Sequence, residues 1–430
     1  MGIAETAKQA KSASIRLAAA KSDLKNAALS EIAKALQKES SQIVLANKED
    51  LIVAEKNNLP GPLLKRLKFD EAKIAETVAG IDSLIELDDP VGKTIAATEL
   101  DKGLELYKVT CPIGVIGVVF ESRPDALVQI STLCLKSGNA VLLKGGSEAA
   151  NTNKTLADLI ARASEQAGLP KGWIQLLETR QDVAKMLALD EYIDLIIPRG
   201  SNEFVRYIMN NTNIPVLGHA EGICHVYVDG DADVDMAVDI TVDSKCQYVA
   251  VCNAAETLLI DANIAQEFLP KVKTALEQKN VELRGCPKTA AIINVKPATE
   301  KDWSTEYLDY ILSIKVVSGL DEAIQHINCY GSGHTDAIVT NNKGKADKFM
   351  DLVDSANVLW NCSTRFSDGF RYGLGAEVGI STNKIHARGP VGLEGLVIYK
   401  WKLIGTGQIV ADYSDPNAKK FTHKRIDISE

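Results

Sequence analysis

A unit of apolar strand, short polar turn and helix occurs three times in the first half of this sequence, and it constrains the fold more than any other feature. The apolar stretches cover residues 115–120, 140–143 and 194–197, and each leads through a polar turn into a helical stretch. This alternation is typical of a parallel sheet with helices on its faces. Because ligands of such sheets bind beyond the carboxyl ends of the strands, we expect the three turns to line one crevice.

The rest of the chain has a different organisation. Helices fill the first 90 residues, and strands at 94–97 and 104–110 form a hairpin around the turn Asp101-Lys102-Gly103. A second α/β unit extends to about residue 385, and residues 396–409 are strand-like. We therefore predict an α/β protein with three parts. They are residues 1–230, which include the hairpin at about 93–110, residues 231–385, and residues 386–430.

Charge and hydropathy exclude two classes of partner. The net charge is −9 and the pI is about 5.4, which argues against a broad nucleic-acid surface. The longest apolar stretch, 109–120, contains one Pro and two Gly. It is shorter than the roughly 20 apolar residues that a membrane-spanning helix needs. No signal peptide is recognisable, so we expect a cytoplasmic protein without a membrane or nucleic-acid partner.

The cysteines and histidines have no metal-binding spacing. None of the eight cysteines forms C-x-x-C, and the six histidines form no H-E-x-x-H. We therefore expect no metal site. In a cytosolic chain these cysteines are expected to be free thiols. The open question is whether one of them is a nucleophile.

Several long words of the sequence occur together and in order. They are PIGVIGVVFESRPD (112–125), LKGGSEA (143–149), GICHVYVD (222–229), VCNAAETLL (251–259), HINCYGSGHTDAIVT (326–340), NCSTRFSDG (361–369) and GLGAEVGIS (373–381). By these words, from about residue 5 to 415, the chain resembles the aldehyde dehydrogenase superfamily, and most closely its branch that reduces L-glutamyl 5-phosphate.

The resemblance implies both a fold and a reaction. The fold is aldehyde dehydrogenase-like: residues 1–230 would bind the cofactor, 231–385 would carry catalysis, and 386–430 would return to the first domain and add an oligomerisation strand. The hairpin would project and serve a homo-oligomer, a dimer or a tetramer. The reaction is NADPH-dependent reduction of L-glutamyl 5-phosphate to L-glutamate 5-semialdehyde and phosphate, the second step of proline biosynthesis. Association with glutamate 5-kinase stays open.

The resemblance assigns a nucleophile. Cys252 matches the superfamily cysteine, and a thiolate there would displace phosphate and hold the acyl group as a thioester. Its backbone N–H would help to hold the oxyanion. Cys246 is the competing choice. Because thiolates are the reactive form, we expect Cys252 to be the most acidic thiol and the first to be alkylated by iodoacetamide.

The resemblance also assigns the cofactor contacts. Lys144 matches the lysine that reaches the adenosine ribose, and Ser147 replaces a glutamate that NAD-preferring relatives often carry. A serine does not repel a 2′-phosphate, which favours NADP(H), although Glu148 keeps the question open. The other cofactor positions are Gly146, Gly200, Ser201 and Glu306, the last at the nicotinamide ribose.

The substrate carries two anionic groups, and arginine suits both. Arg123 and Arg365 are the candidates, and which of them binds phosphate is left open. The other predicted substrate contacts are Ser122, Asn253, Asn361, Ser363 and Thr364. His334 and His386 are weaker candidates for the site.

The chain departs from hydrolytic relatives in two places. Ser122 stands where they have an asparagine, and His219 stands where they have a general-base glutamate. A register shift of two would put Glu221 there instead. A reductase must not activate water against its own thioester, so loss of this base fits the reaction. The alternatives are an NAD-linked hydrolytic semialdehyde dehydrogenase and a non-catalytic relative used for binding.

Overall fold

The computed structural model describes residues 2–121, 123–414 and 418–428. Its helices are α1 Ile3–Leu17, α2 Ser22–Lys38, α3 Ser40–Lys56, α4 Gly61–Leu67, α5 Glu71–Glu86, α6 Pro124–Lys136, α7 Ala150–Gln166, α8 Arg180–Met186, α9 Asn202–Asn210, α10 Val234–Cys246, α11 Ala265–Glu277, α12 Pro287–Ala290, α13 Leu320–Tyr330 and α14 Lys343–Leu352. Its strands are β1 Thr94–Asp101, β2 Leu104–Pro112, β3 Val115–Val119, β4 Ala140–Lys144, β5 Ile174–Leu176, β6 Leu195–Pro198, β7 Cys224–Val228, β8 Ala255–Asp261, β9 Glu282–Gly285, β10 Lys296–Pro297, β11 Ile311–Val317, β12 Thr335–Val339, β13 Asn357–Trp360, β14 Gly379–Ser381, β15 Gly389–Val391, β16 Val397–Ile404 and β17 Lys424–Arg425.

The three predicted strand–turn–helix units build one parallel sheet of order β5-β4-β3-β6. Every residue of β3, β4 and β6 is buried, because helices cover the sheet and the strands are apolar throughout. Turns that follow β3 and β6 touch: a Cβ on Gly200 would lie 3.0 Å from Oε1 of Glu121. The prediction of a parallel sheet is confirmed, and at least two of its turns meet at the carboxyl edge.

A second sheet has seven strands in the order β10-β9-β11-β8-β7-β12-β13, all parallel. Strand β8 is buried along all seven residues, since apolar clusters pack on both faces. Strand β7 belongs to this sheet, although it precedes the boundary that we predicted at residue 230. The division into domains otherwise stays a prediction.

The predicted hairpin is confirmed. Strands β1 and β2 pair antiparallel, and Gly103 in the turn between them has φ of +73°, a conformation that favours glycine. Strand β16 pairs with β2 over eight residues, and β17 pairs with β1. The strand predicted for 396–409 therefore exists but ends at Ile404. A second, shorter antiparallel pair joins β14 to β15.

Among the described strands, β16 has a neighbour on one side only, and it exposes large apolar side chains. Trp401 and Leu403 are each 56% exposed, and Ile404 is 58% exposed. Across the described ranges, the helices are all too short or too polar to cross a bilayer.

Candidate active site

Cys252 lies in the loop between α10 and β8 and is partly exposed. The loop is held by the segment that precedes β7. The Sγ atom of Cys224 donates to the Cys252 carbonyl at 3.1 Å, and a Cβ on Gly222 would lie 2.0 Å from that carbonyl oxygen. Only glycine therefore fits at position 222, and the contact between the two backbones fixes the position of Cys252.

Glu306 joins this loop to the first sheet. One carboxylate oxygen accepts from the backbone N–H of Gly222 at 2.9 Å, and the other accepts from Nδ2 of Asn202 at 2.8 Å. Asn202 is the first residue of α9, directly after the predicted cofactor turn Gly200-Ser201. Glu306, the residue predicted at the nicotinamide ribose, thus binds both the start of α9 and the segment that packs against the Cys252 loop.

The expectation that Cys252 is the most acidic thiol is wrong. Burial raises the pKa of the Cys252 thiol to about 12, and the carboxylates of Glu306 and Glu377 act in the same direction. By contrast, hydrogen bonds with Thr289 and nearby backbone groups outweigh burial and lower the pKa of Cys286. The resting thiol at position 252 is protonated, so a nucleophilic role requires a proton acceptor beside it. The competing Cys246, at the end of α10, also has its pKa raised by burial.

His219 supplies such an acceptor. Its Nδ1 lies 2.9 Å from the carbonyl oxygen of Ile380 and donates to it, which leaves a lone pair on Nε2. One ring nitrogen of His219, the Sγ of Cys252 and one ring nitrogen of His334 lie within 4.8 Å of one another. Burial lowers the pKa of His219, so the ring is neutral. The alternative base, Glu221, instead forms an ion pair with Arg206.

A partly buried cation that the sequence did not single out also lies near this loop. Arg199 follows β6, and its Nη1 is buried without a hydrogen-bond partner among the residues described. Burial lowers the pKa of Arg199, the positive charge of Arg123 acts in the same direction, and the negative charges of Glu377 and Asp125 oppose them. An unpaired buried guanidinium is costly unless an anion binds it. The signal in the sequence was its position in the third polar turn.

Of the two predicted arginines, Arg365 is buried and Arg123 is exposed. Nε of Arg365 donates to Oε1 of Gln247 at 2.9 Å, which orients the guanidinium. Its charge also lowers the pKa of Cys252, so it lies close enough to act on the thiol. Arg123 directly precedes α6 at the edge of the crevice.

Hydrogen bonds within the loop 361–369 and to neighbouring segments hold this loop in place. Both amide atoms of Asn361 bond to the backbone of Thr340, at 2.9 and 3.0 Å, and Ser363 accepts from the backbone N–H of Arg365 at 3.2 Å. The backbone N–H of Thr364 donates to the hydroxyl of Ser244 at 3.1 Å. These bonds position Arg365. Substrate contacts by Asn361, Ser363 and Thr364 stay predictions.

Three other predicted positions have different outcomes. Asn253 donates from Nδ2 to the Ser367 carbonyl at 2.7 Å, which locks its side chain beside Cys252. His386 is exposed, with Nε2 3.0 Å from the carbonyl oxygen of Gly395, on a surface loop. Ser122 lies outside the described residues.

A cleft of about 220 Å³ opens at the turn after β4, lined by 144–147, the start of α7 and 176–178. A Cβ on Gly145 would lie 2.2 Å from Nδ2 of Asn153, and one on Gly146 would lie 2.1 Å from Oε1 of Glu148. The turn therefore offers bare backbone, and Nζ of Lys144 donates to the carbonyl of Gly145. Ser147 is exposed at the mouth of the cleft. This cradle and the N-terminus of α9 fit the phosphates of a dinucleotide.

The close approach of Gly222 to Cys252 generates a stability prediction. Gly222→Ala should lower the free energy of unfolding by about 1–3 kcal/mol, because the new methyl group clashes with backbone that cannot rotate away. The matched control is Gly80→Ala, on α5, where a Cβ meets nothing within 4 Å. That change should leave stability equal or raise it by about 0.5–1 kcal/mol. Urea unfolding measures both, and equal stability of the two variants would contradict the close contact.

The sequence profile of the aldehyde dehydrogenase family matches residues 3–301. Gamma-glutamyl phosphate reductase of Pelotomaculum thermopropionicum is 68% identical over 426 residues, which cover 99% of this chain and 98% of that protein.

Two solved structures are similar. The crystal structure of gamma-glutamyl phosphate reductase from Thermotoga maritima superposes with a TM-score of 0.93 at 42% identity, covering 95% of this chain and 99% of that one. An engineered glycolyl-CoA reductase with bound NADP⁺ has a TM-score of 0.62 at 15% identity, covering 93% of this chain and 96% of that one, which shows the shared fold. The chain belongs to the aldehyde dehydrogenase family and, within it, to the gamma-glutamyl phosphate reductases.

Proposed function

We propose that this chain reduces L-glutamyl 5-phosphate to L-glutamate 5-semialdehyde and phosphate with NADPH, through a thioester at Cys252, as the second step of proline biosynthesis. Relatives that are 68% identical over nearly the whole chain support the reaction. The observation that carries the mechanism is a protonated thiol within 4.8 Å of a ring nitrogen of a neutral imidazole, with the buried Arg365 and the partly buried Arg199 nearby.

In the first half of the reaction, Nε2 of His219 accepts the proton of the Cys252 thiol. The thiolate attacks the acyl carbon, the bond from that carbon to the phosphate oxygen breaks, and the thioester remains on Sγ. The backbone N–H of Cys252 donates to the developing oxyanion. Phosphate leaves and takes one proton from solvent. The imidazolium formed at His219 keeps positive charge beside these anions.

In the second half, the thioester is reduced and released. When bound, NADPH would supply the hydride that converts the thioester to the oxyanion of a hemithioacetal. Collapse breaks the carbon–sulfur bond and frees the aldehyde, and His219 returns its proton to Sγ. Water is not activated by Glu221, because that carboxylate is paired with Arg206. The thioester is therefore reduced before water can hydrolyse it.

Cys252→Ala should abolish reduction, whereas Cys246→Ala should retain most activity, because only a thioester at 252 lies beside the proton acceptor. The assay follows NADP⁺ reduction by glutamate semialdehyde with and without phosphate, in the reverse direction of the reaction. Strict phosphate dependence is expected. Oxidation that needs no phosphate would instead support a hydrolytic enzyme, and full activity of the Cys252 variant would move the nucleophile elsewhere.

The two anionic groups of the substrate are assigned to different arginines. We place the phosphate at Arg199, whose buried Nη1 lacks a partner in the described parts of the chain, with Arg123 at the rim. We place the α-carboxylate at Arg365, whose Nε donates to Oε1 of Gln247. Glu377, which is partly buried and close to Arg199, is the carboxylate that we assign to the α-ammonium group.

Lysine variants separate the two anion sites, because lysine keeps the charge and loses the fork geometry. Arg199→Lys should raise the KM for phosphate, and Arg365→Lys the KM for glutamate semialdehyde, each by about 1–3 kcal/mol or roughly tenfold to a hundredfold. Arg162→Lys, on an exposed ion pair with Glu39, is the control. Exchanged effects would reverse the assignment, and unchanged KM values would remove both residues from substrate binding.

Preference for NADPH over NADH is proposed from Ser147 at the mouth of the cofactor cleft. The carboxylate of Glu148 folds over Gly146 instead of standing at the position of Ser147. Ser147→Glu adds negative charge there and should reduce the ratio of kcat/KM for NADPH over NADH by about 1–3 kcal/mol, roughly tenfold to a hundredfold. Ser147→Gln, of similar size without charge, is the control. An unchanged ratio in the glutamate variant would place the 2′-phosphate elsewhere.

We further propose a homo-oligomer formed through the exposed face and open edge of β16, since large apolar side chains there are more than half exposed. Light scattering tests this, and a monomer at micromolar concentration would contradict it.

All eight cysteines lie in described ranges and are free thiols, which supports a reducing cytoplasm. Association with glutamate 5-kinase stays a prediction from the resemblance.

A further inference from the structure

We propose that His219, Cys252 and His334 form a Zn²⁺ site, in which the metal binds reversibly to Sγ of Cys252. The three residues come from three separate loops, yet each offers one ligand atom within 4.8 Å of the other two. Imidazole nitrogen and thiolate sulfur are the ligands that Zn²⁺ prefers. The wide spacing in sequence explains why no metal motif is recognisable.

The tautomers of both histidines suit a metal. His219 donates its Nδ1 proton to the Ile380 carbonyl, so its Nε2 carries a lone pair. In His334, Nδ1 lies 2.8 Å from the Thr335 hydroxyl, and that hydroxyl donates its own proton to Ser367 at 2.9 Å. Thr335 therefore accepts from Nδ1, and Nε2 of His334 also carries a lone pair. Metal-bound histidines are typically held by this kind of outer hydrogen bond.

His334 provides a second, independent observation. Its side chain is completely buried, and its Nε2 has no hydrogen-bond partner within the described ranges. A buried polar atom without a partner is costly, and a bound cation would satisfy it. Outside metal binding, neither the fold nor the proposed reaction gives this nitrogen a role.

The geometry requires only small movements. Zinc bonds of about 2.3 Å to sulfur and 2.0–2.1 Å to nitrogen place tetrahedral ligands about 3.3–3.6 Å apart, so atoms within 4.8 Å must approach by about 1 Å. Rotation of the partly exposed Cys252 side chain supplies this. On binding, the S–H bond breaks, the proton passes to the buffer and a Zn–S bond forms, without a change of oxidation state. The fourth position is left for water.

The occupied site would have a definite effect on the enzyme. A sulfur atom bound to zinc cannot attack an acyl phosphate, so the metal inhibits until a chelator removes it. The same bond protects the thiol from alkylation. The site is therefore inhibitory, and it is distinct in chemistry from the proposed reaction, which uses no metal.

Co²⁺ is the spectroscopic probe, with the full-length chain freed of metal by a chelator. Wild type should bind one Co²⁺ with the visible ligand-field bands of a tetrahedral ion and a near-ultraviolet thiolate-to-cobalt band, and Zn²⁺ should displace it. His219→Gln and Cys252→Ser should each weaken binding at least about tenfold, since loss of an outer contact alone costs that much. The thiolate band should vanish in Cys252→Ser.

The matched control is the double variant Cys329→Ala with His423→Gln, which removes an exposed cysteine and an exposed histidine. It should bind Co²⁺ as wild type does. His334→Gln is included with its unfolding curve, while His219→Gln keeps the test decisive if that variant does not fold. Absence of binding, an octahedral spectrum without the thiolate band, or undiminished binding by Cys252→Ser would overturn the proposal. These readouts do not depend on the proposed reaction.

Discussion

The approach of Gly222 to the backbone of Cys252 is the constraint on which the site depends. A hydrogen atom in place of a side chain lets the segment before β7 lie directly against the loop before β8, and the N–H of Gly222 then points to Glu306. Glu306 in turn binds Asn202 at the start of α9, beside the first sheet. The nucleophile, the second sheet and the crevice of the first sheet are thus placed by one chain of short contacts.

The electrostatics of the site favour an anionic substrate over free thiolate. Burial and two carboxylates keep Cys252 protonated, while the buried Nη1 of the partly buried Arg199 has no hydrogen-bond partner among the described residues. In the reaction that we propose, an acyl phosphate would bring negative charge to the arginines. The same binding event would bring the acyl carbon to the sulfur, which would link reactivity to the presence of substrate.

The large elements of the fold could be predicted because their signals are local. Runs such as 115–120 and 140–143 carry both the apolar pattern and the turn residues that end them, and the hairpin carries Gly103 at its turn. Strand β16 ends five residues before the end that we predicted. Gly405 and Gly407 interrupt the apolar pattern too weakly for the sequence to mark the end of the strand. Membership of β7 in the second sheet could not be read, because strand order depends on contacts distant in sequence.

The role of Cys252 as nucleophile stays a prediction, whereas its protonation could not be predicted from the sequence. A sequence word can match Cys252, but the pKa of its thiol depends on burial and on Glu306 and Glu377, which lie far along the chain. Arg199 was overlooked for the same reason, since an unpaired guanidinium is visible only in three dimensions. Asn361 is a residue type suited to binding a substrate. Both atoms of its amide are instead bonded to the backbone of Thr340 at the end of a strand.

The two oxygens of Glu306 have a thermodynamic consequence. One accepts from Gly222, which lies against the backbone of Cys252, and the other accepts from Asn202 in the first turn of α9. A cofactor hydroxyl that replaced Asn202 at Glu306 would therefore be energetically coupled to the position of the Cys252 loop. Because such coupling is reciprocal, acylation of Cys252 in the proposed reaction would alter cofactor affinity by the same factor by which the cofactor alters the equilibrium of acylation.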